Sequence, residues 1–355
     1  MQFNKSYILA ITLTGLLTAC SEPDVSPEIV SSVPYDADSG DLLVQCGTLI
    51  DGQSDKVRKN ISVLIKDGKI LSVAADVGTP QRTAVIDLSA YTCMPGFIDM
   101  HTHIMEDDYT PEMDYYSHTV EHTMAKGREF TNTTFMAGFT SVRNLGVYYG
   151  GTSILMRDEI NRGDAIGPRM QVASVYLTIP GGGGDIVIPD VPEESIPAHL
   201  RQGVARGPED FRVKAQAAVD SGADVLKIIA SGAVLAFGSV PGAPEMTPEE
   251  IFTVVDVAHD AGVPIVFGTD SGVYPHGMNA IQFRYMVEWG MTEMEAIKSA
   301  TSVAARAMHW DDHVGTIQKG LYGDIVAVKG DPLSDIRELE SIDVVIKGGL
   351  IFKAP

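Results

Sequence analysis

The strongest constraint on this chain is the alternation of apolar strand-like and helix-like runs through its middle, flanked by β-rich sequence at both ends. Buried strands are expected at 96–100, 139–144, 170–176, 225–230 and 263–267. Helical segments are expected near 115–136, 209–220 and 248–260 between them, and at 278–290 and 293–307 after the last. The helix near 248 opens with Thr247-Pro248-Glu249-Glu250, which supplies an N-cap, a proline at the first helical position and a capping-box glutamate. Gly262 is its stop. Strand–helix alternation is the mark of an α/β chain and requires parallel strands joined by helical crossovers. Such folds bind ligands at the carboxyl ends of their strands. The flanks read differently. Short β runs at 42–46, 62–65, 69–73, 324–328 and 344–351 are punctuated by Asp51-Gly52, Asp67-Gly68 and Gly348-Gly349, and Asp-Gly between apolar runs is a hairpin signal. One small sheet domain assembled from both ends, over 41–96 and 315–355, is therefore expected around a central domain at 97–314.

Charge narrows the partners. With 26 Lys+Arg against 47 Asp+Glu the chain carries a formal charge of −21, which repels phosphate backbones and excludes nucleic acid. Its apolar content of 45% with 21% charged residues is that of a globular protein. The apolar run from Tyr7 to Ala19 follows a single Lys5 and is too short to span a bilayer, which takes about 20 residues. It has the form of an export signal, and its end, Leu17-Thr18-Ala19-Cys20, resembles a bacterial lipobox. That resemblance implies a signal over 1–20, lipidation of Cys20, and an exported, periplasm-facing protein that touches the membrane only through its anchor. Ser21 after the cysteine favours the outer membrane. A plain signal peptide with an incidental cysteine is the alternative. Residues 21–40 are acidic and proline-punctuated, and read as a disordered tether. Cys46 and Cys93 remain, and two buried thiols are expected in preference to a disulfide.

Several expected strands end in residues that bind metals. His101-Thr102-His103 closes the first, and in an extended segment both imidazoles share a face and can converge on one ion. Lys227 stands inside an apolar strand, and Asp270 closes the strand at 263–267. Alone, each is a weak signal. In order, Met94-Pro95-Gly96-Phe97-Ile98-Asp99-Met100-His101-Thr102-His103, Lys227, Gly268-Thr269-Asp270-Ser271-Gly272, and Asp324-Ile325-Val326 leading to Lys347-Gly348-Gly349 resemble the metal-dependent amidohydrolase superfamily. The exported Xaa-Pro dipeptidases and the imidazolonepropionase-like group are the similar branches.

The resemblance implies a (β/α)₈ TIM-type barrel with a β-sandwich built from both termini. It implies that His101 and His103 bind one divalent metal, zinc being the expected ion, and that Lys227, carboxylated by CO₂, bridges two. Asp270 is implied as a ligand of the first metal and as the proton acceptor. A bound divalent metal lowers the pKa of water toward ~7, and a buried lysine favours the neutral amine that reacts with CO₂.

The family also carries two histidine ligands on its fifth and sixth strands. Here His259-Asp260-Ala261-Gly262 runs directly into Val263-Pro264-Ile265-Val266, which resembles the start of the eighth strand. Three βα units and both ligands are thus expected to be missing. An incomplete barrel of five strands leaves unpaired edges, which opens the way to a homo-oligomer. The expected site is one metal on His101, His103, Lys227 and Asp270, with Tyr148 and His276 placed to contact substrate.

Three readings follow. The leading one is a metal-dependent hydrolase of carbon–nitrogen bonds acting on a dipeptide or N-acyl amino acid, with Asp270 as general base. The others are a weakly active or non-catalytic binding module, and a truncated product without a stable monomer. His118-Thr119-Val120-Glu121-His122 matches an inverted zinc-protease motif but lies in a crossover and reads as surface helix. The loop 181–184 is read either as a mobile active-site loop or as a linker.

Overall fold

The computed structural model describes residues 41–106, 116–188, 190–231, 243–261, 265–266, 276–288 and 291–355. Cys20, the 21–40 segment and Asp270 lie outside the described residues. The elements run β1 (Asp41–Leu49), β2 (Arg58–Lys66), β3 (Lys69–Ala74), β4 (Thr83–Pro95), β5 (Phe97–Thr102), α1 (Val120–Met136), β6 (Phe139–Leu145), α2 (Thr152–Arg162), β7 (Arg169–Ala173), β8 (Tyr176–Leu177), α3 (Gly207–Asp220), β9 (Leu226–Ile228) and α4 (Pro248–Asp260). They continue with β10 (Ile265–Val266), α5 (Ile281–Glu288), α6 (Glu293–Ser299), α7 (Ser302–Ala307), β11 (Ile325–Val328), β12 (Val344–Lys347) and β13 (Leu350–Lys353).

Strands from both ends of the chain form one seven-stranded sheet in the order β13-β12-β11-β4-β1-β2-β3. Its hairpins follow the turn chemistry of the sequence. Asp67 and Gly68 turn from β2 to β3 with φ of 49° and 76°, and Gly348 and Gly349 turn from β12 to β13 at 56° and 77°. Positive φ at both central residues is what the tight turn matching strand twist requires. Asp51-Gly52 instead opens a longer loop, in which the Asp51 carboxylate accepts the N–H groups of Gln53 and Ser54 at 2.9 and 2.8 Å.

Alternation gives this sheet two buried faces. Ile325, Ala327, Val344 and Ile346 join Leu42, Val44, Val63 and Leu88 in one apolar cluster. Val326, Val328 and Val345 point the other way, into a cluster with Phe97, Phe135 and Phe139 that includes the central strands and helices. The sheet also curls. Ile70 N–H donates to Leu321 O, Gly320 N–H to Ile70 O and Gly323 N–H to Gly68 O, each at 2.8 Å, so β3 is tied to the segment that leads into β11.

The two cysteines of this sheet are a disulfide, not the pair of thiols expected. Cys46 on β1 and Cys93 on β4 have Cα atoms 5.9 Å apart. The parallel register of these strands slips, with Cys46 opposite Leu88 but Thr48 opposite Thr92, and the bond links the strands across the slip. A pairing between residues 47 apart depends on that register, which local sequence does not reveal.

The central part contains two parallel three-stranded sheets, β5-β6-β7 and β8-β9-β10. β7 and β8 are separated only by Ser174 and Val175. The first half of this stretch pairs with β6 and the second with β9, while Asp224 N–H donates to Val172 O at 2.8 Å where the partners change. Among the described residues no closed barrel is present. The fold is mixed α/β.

Most helices lie near their expected places. The capping box at α4 is formed, with Glu250 N–H on Thr247 Oγ1 at 3.2 Å and Thr247 N–H on Glu250 Oε2 at 2.8 Å. Helix α2 has no counterpart among the expected elements. The single helix expected over 293–307 is broken into α6 and α7, because Ala300 presents its carbonyl to β5 and accepts Ile98 N–H at 2.8 Å.

Candidate active site

Asp99 and His101 lie on the carboxyl half of β5 and His103 follows directly after it, with the register against β6 slipping by one residue between Asp99 and Thr102. The imidazoles converge, with Nε2 of His101 3.3 Å from Nε2 of His103. Two nitrogens that each stand about 2.0–2.1 Å from one tetrahedral ion are separated by about 3.3–3.4 Å, so the pair has the spacing of two ligands on a common metal. The residues present therefore fit a metal as far as they are described. Among the described residues no group of three or more His, Cys, Asp or Glu side chains is placed to hold an ion, and Asp270, the expected carboxylate ligand, lies outside them.

Lys227 is buried at 1% exposure in the middle of β9. Its Cα is opposite Tyr176 of β8 on one side and Val266 of β10 on the other. Residues directly opposite in parallel strands project to the same face of the sheet. Lys227 thus shares a face with Tyr176, whose hydroxyl reaches His103.

The supports of the histidine pair are buried polar groups. Asp99 accepts His101 N–H at 3.0 Å and the Asn279 side-chain amide at 2.7 Å, one on each carboxylate oxygen. Burial pushes the Asp99 carboxyl above its ordinary value, against the lowering effect of these two hydrogen bonds and of His103. Asn144, fully buried on β6, accepts Ile104 N–H at 2.8 Å and donates to Gly146 O at 3.3 Å. This fixes the chain where it leaves β5.

Two residues here were not among the expected site residues. The Tyr176 hydroxyl lies 2.7 Å from His103 Nδ1 and donates to Glu106 Oε2 at 2.8 Å. Glu106 also accepts the Tyr148 backbone N–H on Oε1 at 2.5 Å. Position gave a signal for Tyr176 alone, the last residue of an expected strand, where ligands bind; Glu106 is the first of three consecutive acids, Glu106-Asp107-Asp108, and nothing in the sequence sets it apart.

The expected substrate contacts lie in the same place. Tyr148 is half-buried, with its ring 5.1 Å from that of Tyr176, and His276 Nε2 is 3.2 Å from Glu106 O while its ring stacks on Phe130 at 4.5 Å. The loop 181–184 is tied by carboxylates: Gly181 N–H donates to Asp185 at 2.9 Å and Gly183 N–H to Glu245 at 2.8 Å. Asp185 in turn receives Arg201 through two nitrogens, at 2.9 and 2.6 Å. His118 and His122 stack on each other at 4.2 Å at the start of α1.

A sequence profile of the amidohydrolase family matches residues 92–267 and, separately, 258–351. Ochratoxinase of Aspergillus niger is 24% identical over 425 aligned positions, covering 88% of this chain and 87% of that protein. Imidazolonepropionase of Haloarcula marismortui is 22% identical over 416 positions, covering 92% and 97%. In three dimensions the chain resembles a crystal structure of a Xaa-Pro dipeptidase with bound methionine in its active site, with a TM-score of 0.79 and 28% identity, over 88% of this chain and 100% of that one. The alignments are longer than this chain. Since 88% of 355 residues is about 312, roughly 113 of the 425 positions aligned with ochratoxinase have no counterpart here. Since 92% is about 327, roughly 89 of 416 are unmatched for imidazolonepropionase.

Proposed function

Because the chain belongs to the amidohydrolase family, we propose that it is a metal-dependent hydrolase cleaving the carbon–nitrogen bond of a dipeptide or N-acyl amino acid. The observation that carries this reading is the 3.3 Å approach of the His101 and His103 Nε2 atoms. The likeness to a Xaa-Pro dipeptidase at 28% identity supports the substrate class.

His101 and His103 would hold the ion through Nε2, with Lys227, carboxylated on its amine, and Asp270 completing its donors. A bound divalent ion, zinc for this donor set, supplies acidified water and polarisation of the scissile carbonyl. Asp270 takes the proton of the attacking water and returns it to the departing amine. Tyr148 and His276 border the space where the substrate lies.

With β7 and β8 counted as one continuous stretch, we read the central sheets as five strands of a barrel that has lost three βα units, together with two further histidine ligands. The unmatched stretches of roughly 89 to 113 positions support this, since a βαβ unit takes about 30 residues or more. The overlap of the two family matches at 258–267 supports it as well. Export and anchoring through Cys20 are also proposed. The disulfide supports an oxidising compartment. The second reading, a one-metal binding module without turnover, draws on the same loss of ligands.

The test is metal content by mass spectrometry, with and without bicarbonate, beside a panel of dipeptides and N-acyl amino acids. One equivalent of metal with turnover, both lost in Lys227→Ala, is expected. One equivalent without turnover supports the binding module, and two equivalents would overturn the single-metal site.

A further inference from the structure

Two groups that the hydrolytic reading leaves unused hold one of its ligands. Tyr176 is 8% exposed and Glu106 7%. The tyrosine hydroxyl stands between His103 Nδ1 at 2.7 Å and Glu106 Oε2 at 2.8 Å. A hydroxyl has one proton to give, and an ionised carboxylate only accepts. Both Glu106 oxygens accept, Oε2 from the tyrosine and Oε1 from the Tyr148 N–H. The tyrosine proton therefore goes to Glu106, and the short contact to the imidazole is made by an Nδ1–H donated to the tyrosine oxygen. In the neutral imidazole, the form that binds a metal, this leaves Nε2, the atom facing His101, without a proton and with its lone pair available.

We propose that Tyr176 and Glu106 are positioning residues that lock His103 in its Nδ1–H tautomer and so prepare Nε2 as a ligand. The proposal rests on the reading of His103 as a metal ligand, and it extends that reading to a relay brought together from three places: the end of β5, the start of β8 and the turn after His103. The Glu106 carboxylate is itself fixed by the backbone of Tyr148, after β6. The path thus runs from a main-chain N–H through Glu106 and Tyr176 to His103 Nδ1, on the far side of the ring from the ligand nitrogen Nε2. Outer partners of this type typically change metal affinity by about 10–100-fold when removed.

The full chain, stripped of metal by chelation and ¹⁵N-labelled, is studied by long-range ¹H–¹⁵N correlation, which separates the two neutral tautomers. The His103 signal is assigned by its loss in His103→Asn. Wild type is expected to show His103 as Nδ1–H. Tyr176→Phe is expected to convert it to a tautomer mixture and to weaken zinc binding, measured by calorimetry, about 10–100-fold. Glu106→Gln, which keeps the size of the side chain, is expected to shift the tautomer in the same direction and serves if Tyr176→Phe does not fold. An Nε2–H tautomer in wild type, or an unchanged tautomer in both variants, overturns the proposal. The spectrum is recorded without metal, so a wild type that binds no zinc sinks the hydrolase reading while the tautomer still decides the relay.

Discussion

Breaking the Cys46–Cys93 bond is expected to destabilise the sheet by an amount that follows from its place in the chain. A cross-link between residues 47 apart removes roughly 14 cal/mol/K of loop entropy from the unfolded state, or about 4 kcal/mol at 25 °C. Unfolding entropy near 2.1 cal/mol/K per residue over the roughly 280 described residues converts this to a drop of about 7 °C in melting temperature. The assay is thermal unfolding of a Cys20→Ala chain with and without reductant, accompanied by thiol titration in denaturant. The oxidised chain should show no free thiol and the higher transition. Two titratable thiols in the unreduced, denatured chain, or transitions that coincide with and without reductant, would refute the reasoning.

Other perturbations test separate parts of the structure. Asp185→Ala removes the bidentate partner of Arg201, only 15% exposed at its side chain, while Glu193 still accepts from it at 3.0 Å, and should cost about 1.5–3 kcal/mol in denaturant unfolding. Gly47→Ala places a Cβ 1.9 Å from the Ser89 carbonyl oxygen, so the β1–β4 pairing must shift, at about 1–3 kcal/mol by the same measurement. Burial, with Arg169 beside it, lowers the Lys347 pKa from 10.5 to about 8. The unfolded chain then binds the extra proton between pH 8 and 10.5, so this group adds stability as pH rises through that window and weakens the fold below it. Lys347→Met should remove that rise, seen as a wild-type-minus-variant stability difference that grows by up to about 3 kcal/mol from pH 8 to 10.5. A pH-independent difference would count against the assignment.

What could be read from the sequence was whatever is local. Asp67-Gly68 and Gly348-Gly349 encode their turns in two residues each, and Thr247 to Glu250 encodes its cap in four. His101 and His103 stand two residues apart at the end of β5, so their spacing alone anticipates that they meet. The disulfide, by contrast, depends on the parallel register of β1 and β4 across a slip. The break between α6 and α7 depends on the need of Ile98 for a carbonyl, which appears only once β5 is in place. Tyr176 and Glu106 escaped for the same reason. Each is ordinary in its own segment, and the contact that gives them meaning joins residues 70 apart. Asp270 and the loops around it lie outside the described residues, so the expectation placed on that carboxylate stands as a proposal.

The position of β4 between β1 and β11 has a consequence for how the protein is made. Synthesis delivers β1 to β4 first, yet the partner for the other edge of β4 is encoded more than two hundred residues later. Until the last stretch of polypeptide arrives, Thr92 to Pro95 wait with one flank unzipped, in a half-built sheet whose early strands the 46–93 bond is able to staple together. A nascent chain halted before β11 would retain that staple and still present an open seam, the kind of surface that chaperones bind.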